Sequence, residues 1–280
     1  MSKIKIVTDS TLDISKEAAE KLGIIVVPLA ITINGETYLD RVDLEPAEFI
    51  ENMSSSKELP KSSQPSTGAF LEVYDRLGKE GYEVLSIHMT GKLSGTVRSA
   101  ESAAQMTETN VSVVDSKFIS KALSFQVKEA AVLAKQGKSM AEILDHIETI
   151  RQSTKLYIMV DTLENLVKGG RIGKGKAFIG SLLNIKPIAS LEDAEYTPVT
   201  KVRSHSQVVK FLAKQFAEDV KGKTIRGVGI AHAEAYGLSK KIKEAINELT
   251  GFQDIEIDYT GPIVSTHTGP GALALMYYFE

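Results

Sequence analysis

Cysteine is absent from all 280 residues, and so is tryptophan. Without cysteine there are no disulfides, no thiolate nucleophile and no cysteine zinc site. That composition fits a reducing cytoplasm, which is the expected location. Aromatic residues make up only 6% of the chain, so an apolar pocket must be lined mainly by aliphatic side chains. No apolar run reaches the roughly 18 residues that a membrane span needs. The N-terminus, Met1-Ser2-Lys3-Ile4-Lys5-Ile6, leads straight into a strand pattern with no signal-peptide core. Net charge is only −3, and nothing in that balance suggests nucleic acid as a partner. What is present is ordinary for a soluble globule: 42% apolar and 25% charged residues. The length suits one large or two ordinary domains.

The stretch Tyr82–Thr96, YEVLSIHMTGKLSGT, organises the rest. Val84–Met89 is short, apolar and partly β-branched, so it predicts a buried strand. Thr90-Gly91-Lys92-Leu93-Ser94-Gly95-Thr96 follows as a glycine turn, and a helical pattern begins at once. In open α/β sheets ligands collect where such strands end, and the first N–H groups of the next helix favour an anion. Ser94 adds a hydroxyl there. The competing reading makes Ser94 only an N-cap.

Along the chain, Lys3–Thr8 predicts a strand and Ser15–Leu22 a short helix closed by Gly23. Ile24–Ile33 is β-branched, with Pro28 at an edge or kink, and Asn34-Gly35 turns the chain back to Tyr38. Asp40–Asp43 is an acidic loop, and Pro46 opens a helix through Met53. Ser54–Ser56 and Pro60–Pro65 form a Ser/Pro-rich loop, after which Thr67 caps a helix bearing Phe70, Val73, Tyr74 and Leu77. Val111–Val114 is a strand. The helix after it carries Lys121, Lys128 and Lys135 on one face, expected to be a solvated stripe. Ser139 and Glu142 have capping-box spacing.

This alternation of strand and helix predicts an α/β N-terminal domain, 1–155, with a mostly parallel doubly wound sheet. The boundary is placed near Ser153–Lys155. The remainder, 156–280, reads as α+β. Its elements are a strand at Leu156–Val160, a helix at Ala177–Leu183 and two antiparallel strands across a Glu192-Asp193 turn. A helix from Ser204, a strand at Ile225–Ala231, a second helical stripe and a strand at Ile255–Tyr259 follow. The loop Gly261–Gly271 then leads to a final strand, Ala272–Phe279.

Four stretches could carry chemistry. Ser62-Ser63-Gln64-Pro65-Ser66 precedes its proline in extended backbone, so alternate side chains can aim a donor inward; otherwise it is a polar surface loop. The Ser94 turn lacks the G-x-S-x-G order of a hydrolase elbow and the spacing of a P-loop. His88, in the strand before it, reads as a satisfied sheet histidine. In Ser265-Thr266-His267-Thr268-Gly269-Pro270-Gly271 the glycines and proline hold His267 in place, either to bind an anion or to cap a strand end. Lys168–Lys176 is glycine-rich and basic, and Arg203 lies at a later strand end. Such a loop can cradle phosphate, dock a partner or be simply solvated. The histidines are scattered and Asp9, Asp40, Asp43 and Asp115 have no spacing that specifies an ion, so no metal is expected.

Taken together, Ile6-Val7-Thr8-Asp9-Ser10, Ser62–Ser66, Leu93–Thr96, Lys168–Ile172 and Thr266–Gly271 resemble the motifs of the DegV family of fatty-acid-binding proteins, which includes the carrier subunit of bacterial fatty acid kinase. The match runs the length of the chain, as one unit over 3–279. The family usually has threonine where this chain has Ser62, a change that keeps the hydroxyl and loses a methyl. The resemblance implies two α/β domains with a ligand tunnel between or beside them. It implies a palmitate-like long-chain fatty acid whose carboxylate rests on Ser62, Ser94 and His267, with Ser63, Gly95, Thr96 and Thr268 flanking. The acyl chain occupies an apolar tunnel. A separate kinase subunit, docking on Arg171 and Arg203, would convert the carboxylate to an acyl-phosphate for lipid metabolism. On this reading the chain is a non-catalytic carrier with no cofactor and no stable membrane insertion. The alternatives are a phosphotransferase using 168–176 as its phosphate cradle, and a pure interaction module.

Overall fold

The computed structural model describes residues 3–56, 58–181, 185–191 and 194–280. In chain order the first part runs β1 (Lys3–Asp9), α1 (Lys16–Leu22), β2 (Ile25–Val27), β3 (Ala30–Ile33), β4 (Glu36–Leu39), α2 (Pro46–Ser55), β5 (Lys61–Ser63), α3 (Thr67–Lys79), β6 (Tyr82–His88), α4 (Thr96–Met106), β7 (Val111–Asp115), α5 (Ser120–Lys135) and α6 (Met140–Ser153). It continues with β8 (Lys155–Met159), α7 (Glu164–Lys168), 3-10 turns over Gly173–Ser181, β9 (Lys186–Ser190), β10 (Thr197–Val202), α8 (His205–Asp219), β11 (Ile225–His232), α9 (Tyr236–Thr250), β12 (Glu256–Tyr259), α10 (Pro262–Thr268) and β13 (Leu273–Phe279).

Three sheets result. The first, in order β2-β1-β6-β7, is wholly parallel. Its alternating apolar residues cover both faces: Val7 and Val84 meet Phe70, Tyr74 and Ala100 of α3 and α4, while Ile6, Leu85 and Ile87 meet Leu123 and Val127 of α5. The second sheet is mixed, in order β10-β9-β8-β13-β11-β12, with β9 and β10 antiparallel. Leu273, Leu275 and Tyr277 of β13 face α8 and α9, and its other face turns toward α5. Helix α5 therefore lies between the two sheets and is buried along most of its length. A small antiparallel sheet, β4-β3-β5, sits beside them. Among the described residues no helix is long and apolar enough to cross a membrane.

Local signals explain many boundaries. Ser15 and Gly23 bracket α1, and Ser139 and Glu142 form the full capping box of α6. Ser66, one residue earlier than Thr67, caps α3 by accepting from Ala69 N–H. Other expectations are corrected. Lys61–Ser63 is a strand, because Ser62 pairs with Ile31 of β3. Gly261–Gly271 is mostly helical. Pro262 sits at the first helical position and Gly269 at the C-cap, the asymmetry that favours a helix between them. Lys121 is not solvated: it is 2% exposed and pairs with Glu256, at 2.9 Å, and with Asp258 of β12. Gly229 makes this possible, since a Cβ there would lie 2.2 Å from Lys121 Cδ. Asp40, placed in an acidic loop, is buried at 1% exposure. The Ala177–Leu183 helix is 3-10 as far as Ser181, and its last two residues lie outside the described ones, as does the Glu192-Asp193 turn.

Candidate functional site

In the parallel sheet the chain leaves β1 toward β2 on one side and β6 toward β7 on the other, so the switch point lies between the ends of β1 and β6. Asp9 ties those ends together. It accepts from Thr11 N–H and hydroxyl, from Met89 N–H at 2.8 Å, and pairs with His88 Nδ1 at 3.1 Å. Burial alone would raise its pKa. The bond and charge of His88, with Thr11 and Met89, outweigh burial and hold it below the usual carboxylate range. His88 Nε2 continues to Ser86, and Ser86 accepts from Tyr74. All four side chains are fully buried, so His88 is a satisfied sheet histidine, and Asp9 sets the position of Met89 and the turn after it.

From that turn opens a cavity of about 340 Å³, within the usual range of about 300–1,000 Å³ for small-ligand sites. Ser62, Ser63, Gln64, Ser94, His267 and Arg171 line one part of it. Leu29, Met89, Ile119, Leu156, Ile158 and Val264 are among its apolar walls. Both the parallel sheet's loops and the second sheet contribute, so residues far apart in the chain share one space.

Ser62 Oγ and His267 Nε2 are 2.7 Å apart. His267 stands in the last turn of α10, against Gly169, where a Cβ would come within 2.2 Å of Nδ1. Burial, and secondly the charge of Arg171, push the His267 pKa down to about 4, so the ring is neutral at pH 7. Its Nδ1 has no hydrogen-bond partner. An orphaned acceptor is cheaper to bury than an orphaned N–H, which favours the tautomer with Nε2–H donating to Ser62. The Ser62 hydroxyl hydrogen is then free to donate elsewhere.

Ser94 Oγ lies 2.8 Å from Thr96 Oγ1 and accepts from Thr96 N–H at 3.3 Å. The N-cap of α4 is Gly95 rather than Ser94. Gly95 leaves the room that Gln64 uses to cross it: a Cβ would sit 2.1 Å from Gln64 Oε1. Gln64 Nε2 donates to Gly95 O and to Ser99 Oγ. This bond joins the Ser62 and Ser94 segments. Arg171 holds the turn from the other side, donating from Nε to Leu93 O at 3.1 Å and from Nη1 to Gly169 O at 2.6 Å.

Of the residues singled out from sequence, Ser62, Ser63, Ser94, His267, Thr268 and Arg171 therefore line one cavity. Gly95 and Thr96 stand just behind Ser94. Arg203 is exposed, with its N–H on Gln207, and is not among the lining residues. Sequence reasoning missed Tyr196, whose buried hydroxyl has no partner and which lines the cavity. It stands immediately before β10, and nothing in that stretch of sequence distinguishes it. Among the described residues no group of three or more acidic, His or Cys side chains could hold a metal.

Comparison with known proteins agrees with this architecture. A family model described as "Uncharacterised protein, DegV family" matches residues 3–280. A DegV domain-containing protein of Listeria monocytogenes is 45% identical over 281 residues, with 100% of both chains covered. Two solved structures align over nearly everything. One is a DegV family protein from Thermus thermophilus described for its fatty acid binding, with TM-score 0.93 and 32% identity over 99% of this chain and 100% of that one. The other is DegV, a fatty acid binding protein from Bacillus subtilis, with TM-score 0.90 and 33% identity over 100% of both. By these matches over its whole length, and by the motifs that meet at its cavity, the chain belongs to the DegV family.

Proposed function

We propose that the protein binds one long-chain fatty acid, with the carboxylate on the Ser62 and Ser94 hydroxyls beside His267 and the acyl chain along the apolar wall of the cavity. The observation that carries this reading is the 2.7 Å Ser62–His267 pair at a cavity that Ser94 also lines and whose remaining lining is mostly aliphatic. The fatty acid binding of the relatives from Thermus thermophilus and Bacillus subtilis supports it.

The physical chemistry suits such a ligand. A fatty carboxylate is ionised at pH 7, and burying it needs several donors because an unpaired buried charge is very costly. The Ser62 and Ser94 hydroxyls supply donors, and Arg171 supplies positive potential without leaving its carbonyl partners. Neutral His267 orients Ser62 without competing for the negative charge. A chain of about sixteen carbons brings at most about 12 kcal/mol of transfer free energy at about 0.8 per methylene, before the costs of association. The tail then dominates affinity and the head sets orientation.

In this reading the chain is a carrier and not a catalyst, and it presents the acid to a separate kinase for acyl-phosphate formation. Exposed Arg203 is assigned to docking that partner, and Arg171, at the cavity wall, to holding the turn that the partner must reach. A phosphate cradle over 168–176 is the weaker alternative. Lys168 is spent on Glu164 and Lys174 on Glu195, and the Cβ positions of Gly173 and Gly175 point into Glu195 and Tyr196.

Native mass spectrometry of the purified protein, followed by extraction, tests the reading. One long-chain acid per chain is expected, retained less well by Ser94→Ala. Protein that stays empty when offered palmitate, but binds a nucleotide with magnesium, would replace the carrier reading with the phosphotransferase one.

A further inference from the structure

Beyond the main cavity a narrower void of about 30 Å³ continues past Ile119, Leu156, Ile158, Val264 and Thr268, which line both spaces. Its floor is one row across the second sheet. Ile158 on β8 pairs with Ala274 on β13, and Ala274 pairs with Ala231 on β11. Directly paired residues project from the same face, so two successive alanines leave a furrow where larger side chains would fill the space. Ser120, at the start of α5, and Thr260, just past β12, close its far end.

Behind them lies Asp13. Ser120 and Thr260 both donate to its Oδ2, Thr260 at 2.8 Å, while Gly261 N–H donates to Oδ1 at 3.0 Å and Arg41 pairs with the same oxygen. The Asp13 side chain is wholly buried and Arg41 is 23% exposed. On the outer side of this cluster is a surface groove of about 780 Å³, walled in part by Asp13 and Arg41. A single layer of hydrogen-bonded side chains thus separates the apolar void from the groove.

We propose that this Asp13–Arg41–Ser120–Thr260 layer is the end-stop of the acyl tunnel and that, with Ala231 and Ala274 before it, it sets the longest fatty acid the protein accepts. The inference rests on the fatty-acid reading above and deepens it.

Two features mark the layer as built. Ser120 has φ +59, the left-handed region that a residue with a side chain rarely adopts, and in that conformation its hydroxyl reaches Asp13. At Gly261 a Cβ would lie 2.8 Å from Arg41 Nε, so the backbone closes directly on the guanidinium. A chain end that pushed into the layer would separate a buried carboxylate from its donors, which is strongly unfavourable. It gains apolar contact only up to the alanines.

The test offers the protein an equimolar mixture of saturated acids from lauric to arachidic and measures which are retained. Ser120→Gly removes one donor and suits the left-handed backbone. Thr260→Ala removes the other donor and a methyl. Each should shift the retained acids toward longer chains, by up to about fourfold for each methylene that finds room, at about 0.8 kcal/mol apiece. Ala231→Val should shift them toward shorter chains, and Thr260→Ser should keep the wild-type profile. Should one variant fold poorly, the opposite shifts of the others still decide. A wild-type protein that takes up acid with the same length profile as every variant overturns the end-stop alone. A wild-type protein that takes up none overturns the fatty-acid reading and the end-stop with it.

Discussion

At the polar part of the cavity, Ser62, Ser94 and His267 come from a short strand, a glycine turn and the last turn of a seven-residue helix. At the far end, Ala231, Ala274 and Ile158 come from the interior of a six-stranded sheet. The first set is held by side-chain hydrogen bonds, such as Gln64 on Gly95 O and Arg171 on Leu93 O. The second is held by strand register. Polar recognition depends on a few directed bonds that small changes can misalign. Apolar recognition depends on shape summed over many weak contacts. The two ends should therefore respond very differently to changes in ligand and residue.

The largest effect should come from the tail. Replacing palmitate by decanoate leaves the head untouched and removes six methylenes, about 5 kcal/mol at about 0.8 each, or a loss of affinity of several thousandfold measured by calorimetry. If decanoate binds nearly as well, the aliphatic wall is not the source of affinity and the comparison collapses.

Next in size is a pair of opposed pH effects, one at the head and one at Asp40 beside Arg41 and Asp13. His267 is held neutral, with its pKa lowered to about 4 by burial and by Arg171. A depressed histidine stabilises the fold fully above its unfolded value of about 6.5, and this contribution fades as pH falls from about 6.5 through about 4, by at most about 3 kcal/mol. Asp40 works in the opposite sense. Burial raises its pKa to about 7, so its contribution is largest below about 4 and is lost as pH rises through about 7. Ligand-free wild-type stability should change little across this window because the two trends oppose. His267→Gln should become relatively more stable toward pH 4, and Asp40→Asn relatively less. Chemical denaturation at a series of pH values reads both, and parallel curves for all three proteins would remove the neutral imidazole from the account.

Smaller again is the head group itself. Exchanging palmitate for the alcohol of the same length removes the charge and should weaken binding by about 1.5–3 kcal/mol, the range for hydrogen bonds to charged groups. The mildest change, Ser94→Ala with palmitate, should cost about 1 kcal/mol, near a fivefold loss of affinity. Equal affinities for acid and alcohol would mean that Ser62, Ser94 and His267 do not read the carboxylate.

The same contrast governs what could be read from the sequence. Ser62, Ser94 and His267 stand in short motifs dense in hydroxyls, glycine and proline, and those motifs meet at one cavity. The parallel sheet followed from apolar runs alternating with capped helices, and the mixed second sheet from the change in pattern after Lys155. In sequence helix α10 resembles a loop because serine and threonine have low helix propensity, although Pro262 and Gly269 mark its ends. Lys121 looked solvated because its partners Glu256 and Asp258 and the gap at Gly229 lie far along the chain. Strand β5 was hidden for the same reason, since its pairing partner Ile31 is distant in sequence. The tail wall left no trace at all: Ala231, Ala274 and Ile158 are indistinguishable, as letters, from residues that fill an ordinary core.

The most direct test of the central claim is NMR of bound palmitate labelled at its carboxyl carbon. The account predicts one bound resonance, displaced from that of free palmitate, still ionised well below the pH at which free fatty acid protonates, and moved by Ser94→Ala and by His267→Gln. A carboxyl resonance that titrates like the free acid and ignores both substitutions would contradict it, because the head would then lie in solvent and not against Ser62, Ser94 and His267.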